Sequence, residues 1–350
     1  MTIGNEFNEE SQILISIVMP TLNEEKRIER GLKSIREQSI NSMGIEILVI
    51  DGGSTDKTRE ISEKYGARIL DNPKVVPEEA VTIGLQNSVG KYIVFMGADE
   101  VFTDMIQMEK RINLLKNNSD VKVVLTNCYK TPDDYPGITR YVNSLGDPFS
   151  YFIYGFDSEN FIGSLDKKKF AYKKNEDDGR VYYLKKDDFS PIGDGATITF
   201  DFDYLKEYFI DRFGDPAFVA TKFDEVINKT GCFGVVEGDT IDHYTTSSVN
   251  VYLKKLKFRV INNLYPEDNI SGYTERAQTN KRLNARKYLY LLYCLIPPIV
   301  LFDAVIKTIR KKCFAFMLHF IFVYYVIFQV FIIGLIKISG KKVYVKNYGK

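Results

Sequence analysis

Two apolar runs that each end in a cluster of acidic residues constrain this sequence more than any other feature. The first is EILVIDGGSTD, from Glu46 to Asp56, and the second is KYIVFMGADE, from Lys91 to Glu100. Such apolar runs are typical of parallel strands that are buried on both faces. Ligands bind at the carboxyl edge of an open parallel sheet. Two acidic loops at that edge suit a nucleotide, because its base needs a hydrogen-bond acceptor and its phosphates need a divalent cation.

The segments around these runs alternate between strand and helix patterns. Ile13 to Met19 reads as a buried strand, and Glu24 to Gln38 places apolar residues on one face of a helix. The alternation continues to Thr126 and gives right-handed βαβ units with helices on both faces of a sheet. We therefore predict an α/β fold with a doubly wound, mostly parallel sheet. Pro132 to Asp188 has weak periodicity and predicts an irregular insertion.

Two apolar runs near the carboxyl terminus have roughly the length of membrane spans. Tyr288 to Ile306 contains Pro297 and Pro298, so it is expected to bend back or lie at the interface rather than cross. Cys313 to Ile336 is more uniformly apolar. Val249 to Leu264 reads as an amphipathic helix with a basic face, suited to an anionic leaflet.

Basic residues flank both apolar runs on every side. The positive-inside rule cannot hold all of these flanks in the cytoplasm if both runs cross the bilayer. We predict attachment to the cell membrane, with contacts to membrane lipids and the α/β domain on the cytoplasmic side. Buried core helices of a soluble protein are the alternative.

Composition excludes several classes of function. A net charge of +1 gives no basic excess for binding nucleic acid. The four cysteines show no CxxC spacing, which argues against a disulfide framework or a zinc site and suits a reducing compartment. With only two histidines, the chain cannot form a multi-histidine metal site.

Three motifs together resemble the family 2 glycosyltransferases of the GT-A fold. They are SIVMPTLNEE from Ser16 to Glu25, VIDGGSTDKT from Val49 to Thr58, and GKYIVFMGADE from Gly90 to Glu100. The segment NPKVVPEEAVTIGL, from Asn72 to Leu85, is most similar to the succinoglycan-type exopolysaccharide glucosyltransferases. The resemblance is close over about residues 13 to 127.

The resemblance implies a binding site for a nucleotide sugar, in which the sugar is linked to UDP or GDP. Asp51 matches the carboxylate that accepts a hydrogen bond from the base, a bond worth about 1.5–3 kcal/mol when one partner is charged. A cap on the following helix is the alternative role for Asp51. The other positions implied in this site are Thr21, Asn23, Glu24, Gly53, Ser54, Ala98 and Asp99.

The family's Asp-x-Asp metal motif falls on Gly97-Ala98-Asp99, so the first carboxylate is missing. The resemblance implies that Asp99 binds Mn²⁺ or Mg²⁺, with Glu100 and His243 as further candidate ligands. One protein carboxylate can suffice, since phosphate and water oxygens complete the coordination. The alternatives are a degenerate site without turnover and, for His243, a packed or surface histidine.

An inverting transfer also needs a base near the acceptor hydroxyl. The family order of a glycine-rich loop, an acidic residue and a histidine matches Gly193-Asp194-Gly195, then Asp215 or Asp224, then His243. Asp215 is our first candidate base and Asp224 the second.

These features predict a membrane-associated inverting glycosyltransferase whose acceptor is a saccharide linked to polyprenyl phosphate or diphosphate. The alternatives are a non-catalytic GT-A scaffold and a nucleotidyltransferase, although the latter's glycine-rich triphosphate loop is missing after the first strand. The predicted catalytic domain covers residues 13–245, with a nucleotide-binding half (13–130) and an acceptor half (131–245). Residues 1–12 are predicted to be a polar tail and not a signal peptide. After the catalytic domain we predict an amphipathic juxtamembrane region (246–287), membrane segments (288–337) and a basic tail (338–350).

Overall fold

The computed structural model describes residues 14–174, 178–185, 191, 197–265, 281–341 and 343. Twelve strands are formed within these residues. They are β1 (Ile15–Thr21), β2 (Ile45–Asp51), β3 (Arg68–Asp71), β4 (Tyr92–Phe95), β5 (Glu100–Phe102), β6 (Val123–Leu125), β7 (Cys128–Lys130), β8 (Ala171–Lys174), β9 (Gly179–Tyr183), β10 (Ile198–Asp201), β11 (Cys232–Val236) and β12 (Thr240–His243).

Nine of these strands form one sheet in the order β3-β2-β1-β4-β10-β6-β11-β9-β8. Strands β1 to β4 are parallel to one another, and β11 is parallel to β6. Strand β10 runs antiparallel between β4 and β6, and β9 runs antiparallel to β11. The sheet is therefore mostly parallel, and the α/β architecture predicted from the sequence is confirmed.

The helices pack on both faces of this sheet and at its carboxyl edge. Their bounds are α1 (Ile28–Arg36), α2 (Thr58–Lys64), α3 (Pro77–Asn87), α4 (Gln107–Asn117), α5 (Gly137–Leu145), α6 (Pro148–Tyr154), α7 (Phe161–Lys167), α8 (Phe202–Phe209), α9 (Pro216–Thr230), α10 (Val249–Leu264), α11 (Lys281–Cys294), α12 (Pro297–Lys311) and α13 (Leu318–Ile338).

Strand β1 shows why the apolar runs are continuous. Ile17 and Met19 pack on one face with residues of α1 and α4, whereas Val18 packs on the other face with residues of α3 and α9. Each strand residue thus meets a helix layer, whichever face it points to. This arrangement leaves the strand ends, rather than the sheet faces, as places where a polar ligand can bind.

A second, three-stranded sheet in the order β5-β12-β7 lies beyond the carboxyl edge of the main sheet. Strand β12 pairs antiparallel with β5, where His243 stands opposite Glu100. The same strand pairs parallel with β7. The small sheet therefore carries a residue from the end of the domain back to the loop that follows β4.

Two sequence predictions need correction. The segment from Pro132 to Asp188 is not an irregular insertion, because it forms α5, α6, α7, β8 and β9. Helix α10 has the predicted bounds, but its apolar face is not free for a leaflet. Its buried residues Tyr252 and Leu256 pack in one cluster with Tyr141 of α5 and Phe322 of α13.

Within the ranges that the structure describes, one helix, Phe314–Ile338, is long and apolar enough to cross a membrane. The residues Arg282–Cys294 and Pro297–Lys311 pass the same test only as a pair, and their axes differ by 100°. The break falls at Leu295 and Ile296, immediately before the two prolines. The bend predicted from the double proline is therefore present, and several crossing helices are not confirmed.

Candidate functional site

The first acidic loop holds Asp51 as a buried hydrogen-bond acceptor. Asp51 is the last residue of β2, and its side chain is 1% exposed. Its carboxylate accepts from the Ser54 backbone N–H at 3.1 Å and from Ser54 Oγ at 2.5 Å. Thr21 Oγ1 lies 3.5 Å from Asp51 Oδ1. These contacts come from the turn before α2 and from the last residue of β1.

Glycine shapes this turn. Gly53 has a φ of +89°, which a residue with a Cβ adopts only with strain. Among the described residues, apart from Gly53 and its chain neighbours, no atom lies within 4 Å of the position that a Gly53 Cβ would occupy. The turn thus leaves open space beside Ser54.

Arg59 is a partner of Asp51 that the sequence reading missed. Its Nη1 lies 3.0 Å from Asp51 Oδ2 and 2.7 Å from Asp71 Oδ1. Asp51 and Asp71 end the neighbouring strands β2 and β3, and α2 places Arg59 across both. The two carboxylates raise the pKa of Arg59. A base that hydrogen-bonds to Asp51 therefore shares that carboxylate with a guanidinium.

A continuous series of contacts joins the first acidic loop to the second. Ser54 Oγ accepts from Asn23 N at 2.8 Å, and Thr58 Oγ1 accepts from Glu24 N at 2.7 Å. The Glu24 carboxylate pairs with Arg27 at 2.6 Å, and Arg27 Nη1 lies 3.7 Å from Asp99 Oδ2. The loop after β1 thus links Asp51 and Asp99 along one edge of the sheet.

Asn23 allows the first loop to make these contacts. It has a positive φ of 53°, a conformation that asparagine tolerates better than most residues. Its side-chain oxygen accepts from Thr55 N at 2.9 Å. The side chain and backbone of Asn23 therefore bind the turn after β2 at two points, which fixes the loops against each other.

The second acidic loop places Asp99 opposite His243. Asp99 Oδ1 lies 3.8 Å from His243 Nε2, and the two side chains are about one-quarter and one-fifth exposed. The ring of Tyr129 packs on His243 at 5.3 Å between centroids. Tyr244 donates its N–H to the Asp99 carbonyl at 2.8 Å. The small sheet thus holds an imidazole against a solvent-accessible carboxylate.

One carboxylate and one imidazole fit a divalent cation that takes its remaining ligands from phosphate and water. Asp99 and His243 lie close enough for one ion to contact both at ordinary metal–ligand lengths of about 2.1 Å. In the part of the chain that the structure describes, no group of three or more His, Cys, Asp or Glu side chains is arranged to hold a metal ion. A cation held by Asp99 and His243 would take its remaining ligands from phosphate and water oxygens.

Glu100 differs from Asp99 in its environment. Its side chain is fully buried, and Oε2 accepts from Gly97 N at 2.8 Å and from Thr197 Oγ1 at 2.7 Å. Burial, with the nearby charge of Asp99, raises the pKa of Glu100 to about 8. Glu100 Oε1 is buried, and no hydrogen-bond partner for it is found in the described part of the chain. This environment favours a neutral structural carboxyl group over the metal ligand that we predicted.

Gly97 is packed too closely for an added side chain. A Cβ at this position would lie 2.9 Å from Asp99 Oδ1 and 3.4 Å from Glu100 Cδ. The space that a first motif carboxylate would use is therefore adjacent to two carboxyl groups already present. Ala98, between these residues, is buried, so only its backbone can face a ligand.

The structure does not support Asp215 as the catalytic base. Asp215 caps α9 by accepting from Ala217 N at 2.9 Å, and it pairs with Arg212 at 2.9 Å. Although burial opposes the effect, these hydrogen bonds lower the pKa of Asp215. Gly214, the preceding residue, lies beside Gln86 in the last turn of α3. That turn precedes β4, so Asp215 lies toward the amino edge, away from Asp51 and Asp99.

The second candidate base, Asp224, is buried on α9 and accepts from Asn228 of the same helix at 3.2 Å. Its catalytic role stays a prediction. The segment Gly193-Asp194-Gly195 lies outside the described residues. The structure thus brings together Thr21, Asn23, Glu24, Gly53, Ser54, Asp51, Asp99 and His243, but not Asp215.

Comparisons with known proteins show similarity in sequence and in fold. Residues 16–182 match the family model described as Glycosyl transferase family 2. An uncharacterized glycosyltransferase of Haemophilus influenzae is 36% identical over 115 residues, which cover 30% of this chain and 43% of that protein. A glucuronosyltransferase of Methanococcus voltae, named for a dolichyl N-acetylglucosaminyl phosphate acceptor, is 36% identical over 91 residues, covering 24% and 28% of the two chains. The matched regions therefore span less than half of either relative.

The solved structure of a mannosyltransferase from Pyrobaculum calidifontis, in complex with GDP-mannose and Mn²⁺, has a TM-score of 0.56 to this chain. The two are 15% identical, and the match covers 94% of this chain and 88% of the other. This similarity shows the fold alone. The resemblance to succinoglycan-type enzymes has no further support in these comparisons. Residues 16–182 therefore match a family 2 glycosyltransferase domain, and the fold of the chain is GT-A-like.

Proposed function

We propose that this protein is a membrane-associated inverting glycosyltransferase that moves a sugar from a nucleotide-sugar donor to a lipid-linked saccharide. The observation that carries the proposal is the continuous edge from Asp51 through Ser54, Asn23 and Arg27 to Asp99. One end offers a buried carboxylate to a base N–H. The other end offers a carboxylate and an imidazole where a diphosphate would lie.

The chemistry of the two ends suits a UDP- or GDP-linked donor. Uracil and guanine both have an N–H that can donate a hydrogen bond to the Asp51 carboxylate. This hydrogen bond is stronger with a charged acceptor than with a neutral one. The donor and Mn²⁺ of the Pyrobaculum neighbour support the same assignment. When bound, Mn²⁺ or Mg²⁺ would offset the charge that develops on the leaving diphosphate. Asp99 and His243 would hold that cation.

Arg27 adds a fixed positive charge to this end of the site. Its guanidinium is oriented by Glu24 at 2.6 Å and by the Tyr244 carbonyl at 3.2 Å. It lies 3.7 Å from Asp99 Oδ2, so it faces the region of the proposed diphosphate. A preorganised donor of this kind stabilises developing negative charge without reorganising during the reaction.

The apolar carboxyl-terminal helices support a lipid-linked acceptor, such as a saccharide on polyprenyl phosphate or diphosphate. The Methanococcus relative, whose printed name includes a dolichyl phosphate acceptor, points to the same acceptor class. The apolar residues of α12 and α13 would hold such an acceptor near the membrane. We place the catalytic domain on the cytoplasmic side, where nucleotide sugars are made.

A catalytically inactive scaffold is the second candidate function. Gly97 favours it, because the first carboxylate of the metal motif is missing and Glu100 is buried with a raised pKa. A scaffold would bind nucleotide through Asp51 without turnover. The two candidates therefore differ in chemistry rather than in binding.

Transfer assays with the full chain in detergent separate these functions. The enzyme should release UDP or GDP from a matching nucleotide sugar in the presence of Mn²⁺, and Asp99→Ala should lose at least about 100-fold of this activity, the loss expected when a main stabilising group is removed. Binding of nucleotide without release, for every UDP- and GDP-sugar tested, would favour the scaffold. Equal transfer to free and polyprenyl-linked saccharides would contradict the lipid-linked acceptor.

A further inference from the structure

Helix α13 has two apolar faces with different surroundings. His319, Phe322, Val326 and Ile333 are buried against the rest of the protein. Exposed apolar side chains on the remaining surface recur at helical spacing; they are Ile321, Phe328, Phe331, Ile332, Leu335 and Ile338. The helix is thus covered by protein along one side only, and its other side is a large exposed apolar surface of the kind that marks an interaction site.

Helix α10 covers the inner side of α13 from near its beginning to its end. The ring of Tyr252, in the first turn of α10, packs on Phe322 at 4.8 Å between centroids. At the other end, Lys337 Nζ donates to the Leu264 carbonyl and lies 5.1 Å from the Tyr265 ring. The two helices therefore run side by side in the same direction for about 20 Å, at 1.5 Å per residue.

The charges of α10 are incompatible with a bilayer crossing in this arrangement. Lys254 and Lys257 are exposed in the middle of α10, and Arg259 pairs with Asp147 at 2.8 Å. If α13 crossed the hydrocarbon core, α10 would enter with it and carry these charges to bilayer depth. Such charges are strongly disfavoured there. Either the pairing of α10 with α13 breaks, or α13 does not cross.

A polar cluster fixes the beginning of α13 to the catalytic domain. His319 Nδ1 lies 2.7 Å from the hydroxyl of Tyr141 on α5, and His319 Nε2 lies 3.4 Å from Asp303 of α12. Tyr293 of α11 donates to the same Asp303 carboxylate at 2.7 Å. These contacts join α11, α12 and α13 to the domain as one unit. A helix that left the domain to cross a bilayer would have to give up this cluster.

The bent pair α11–α12 fits the same arrangement. Helices of 14 and 15 residues are each shorter than the roughly 20 residues that a crossing requires. Leu295 at the bend is 75% exposed, and Phe302 of α12 is 66% exposed. Arg310 and Lys312, at the end of α12, are also exposed. Exposed apolar groups beside exposed basic groups suit the boundary between acyl chains and anionic headgroups.

We infer that α13 lies along the membrane plane, with its outer face (Ile321, Phe328, Phe331, Ile332, Leu335 and Ile338) immersed in one leaflet that contains anionic phospholipid. This monotopic attachment rests on the membrane association in the proposed function, but not on the transfer reaction. Monotopic attachment places all the basic residues that flank the two apolar runs on the same side of the bilayer. The positive-inside rule and the apolar helices are then compatible.

Tryptophan fluorescence tests this arrangement, because the sequence contains no tryptophan. Single variants Ile321→Trp, Phe328→Trp and Ile338→Trp of the full chain are bound to vesicles of phosphatidylcholine and phosphatidylglycerol. The vesicles carry a doxyl quencher either near the headgroup or near the end of the acyl chain. An in-plane helix predicts the same deep-to-shallow quenching ratio at all three sites. Tyr208→Trp, on exposed α8, is the control and should not be quenched.

Two results would overturn the inference. A crossing helix would give Phe328→Trp a deep-to-shallow ratio several-fold above those of Ile321→Trp and Ile338→Trp. An absence of quenching at all three sites, with the protein forming a stable dimer, would show that a second copy covers the outer face. The assay contains no donor or acceptor, so a failure of the glycosyltransferase proposal leaves its outcome unchanged.

Binding to the same vesicles also tests whether the basic residues at the end of α12 interact with anionic lipid. Replacing Arg310 and Lys312 by glutamate should weaken vesicle binding by about thirtyfold or more, since each basic residue near an anionic surface contributes about fivefold to binding. The effect should disappear in vesicles of phosphatidylcholine alone. Unchanged binding to the anionic vesicles would contradict the proposed anionic leaflet.

Discussion

Lys222 is a buried basic residue whose charge should destabilise the folded protein. It lies on α9 with a side chain that is 8% exposed, and its Nζ donates to the Val219 carbonyl at 3.0 Å. The ammonium also lies 4.8 Å from the centre of the Phe95 ring. Burial lowers the pKa of Lys222 to about 8, and the charge of Glu78 offsets only part of this effect. The charged form is therefore less stable in the folded protein than in water.

The cost follows from the two pKa values. Each tenfold change in a proton equilibrium corresponds to about 1.4 kcal/mol, so lowering the pKa from 10.5 to about 8 disfavours the folded state by about 3 kcal/mol below pH 8. Between about pH 8 and 10.5, the unfolded chain holds this proton and the folded chain does not. The free energy of unfolding therefore rises with pH across this window.

Lys222→Met should remove this cost while filling the same space beside Phe95. We expect the variant to raise the free energy of unfolding by up to about 3 kcal/mol at pH 7, and by much less near pH 10. Urea unfolding followed by circular dichroism at both pH values measures the difference. The exposed Lys116→Met is the matched control and should change neither value by more than about 0.5 kcal/mol. Destabilisation by Lys222→Met at pH 7, or a gain equal at both pH values, would refute the reasoning.

Three further predictions concern the site and its support. Asp51→Asn should weaken UDP or GDP binding by about 10- to 100-fold in calorimetry, because the acceptor loses its charge; unchanged affinity would exclude the base-binding role. Gly84→Ala should lower the free energy of unfolding by about 1–3 kcal/mol, since its Cβ would lie 2.3 Å from Val18 Cγ1. Gly334→Ala should not, because its Cβ would meet no described residue outside its own helix within 4 Å. Asp215→Ala should lower the free energy of unfolding by about 1 kcal/mol, because α9 loses its cap, and should retain sugar transfer. Loss of transfer in a folded variant would support Asp215 as the catalytic base.

The sequence predicted the parts of the fold that local patterns determine. The strand predicted over Ile13 to Met19 is observed as β1 (Ile15–Thr21), and the helix predicted over Glu24 to Gln38 is observed as α1 (Ile28–Arg36), because a continuous apolar run and a one-sided apolar pattern are strong local signals. The three-residue strands β5 and β7 were missed. Their pairing with β12 depends on residues more than 100 positions away in the chain, and no local pattern reveals such a pairing.

The site was predictable where it depends on strand ends and less so elsewhere. Asp51 and Asp99 follow buried strands, so their position at one edge could be expected from topology. Arg27 and Arg59 were missed because long basic side chains reach carboxylates across loops and helices. Asp215 was misplaced for a related reason: the order of residues along α9 does not reveal which edge of the sheet the helix begins at.

The central claim is that Asp51 and Asp99 bind opposite ends of one donor, and calorimetry with Mn²⁺ tests it directly. The ratio of UDP or GDP affinity with and without Mn²⁺ is measured for the wild type, Asp51→Asn, Asp99→Asn and the exposed control Asp211→Asn. The account predicts that Asp99→Asn abolishes the Mn²⁺ enhancement but leaves nucleoside binding intact, whereas Asp51→Asn weakens both nucleotide and nucleoside binding. An undiminished Mn²⁺ enhancement in Asp99→Asn would contradict the account.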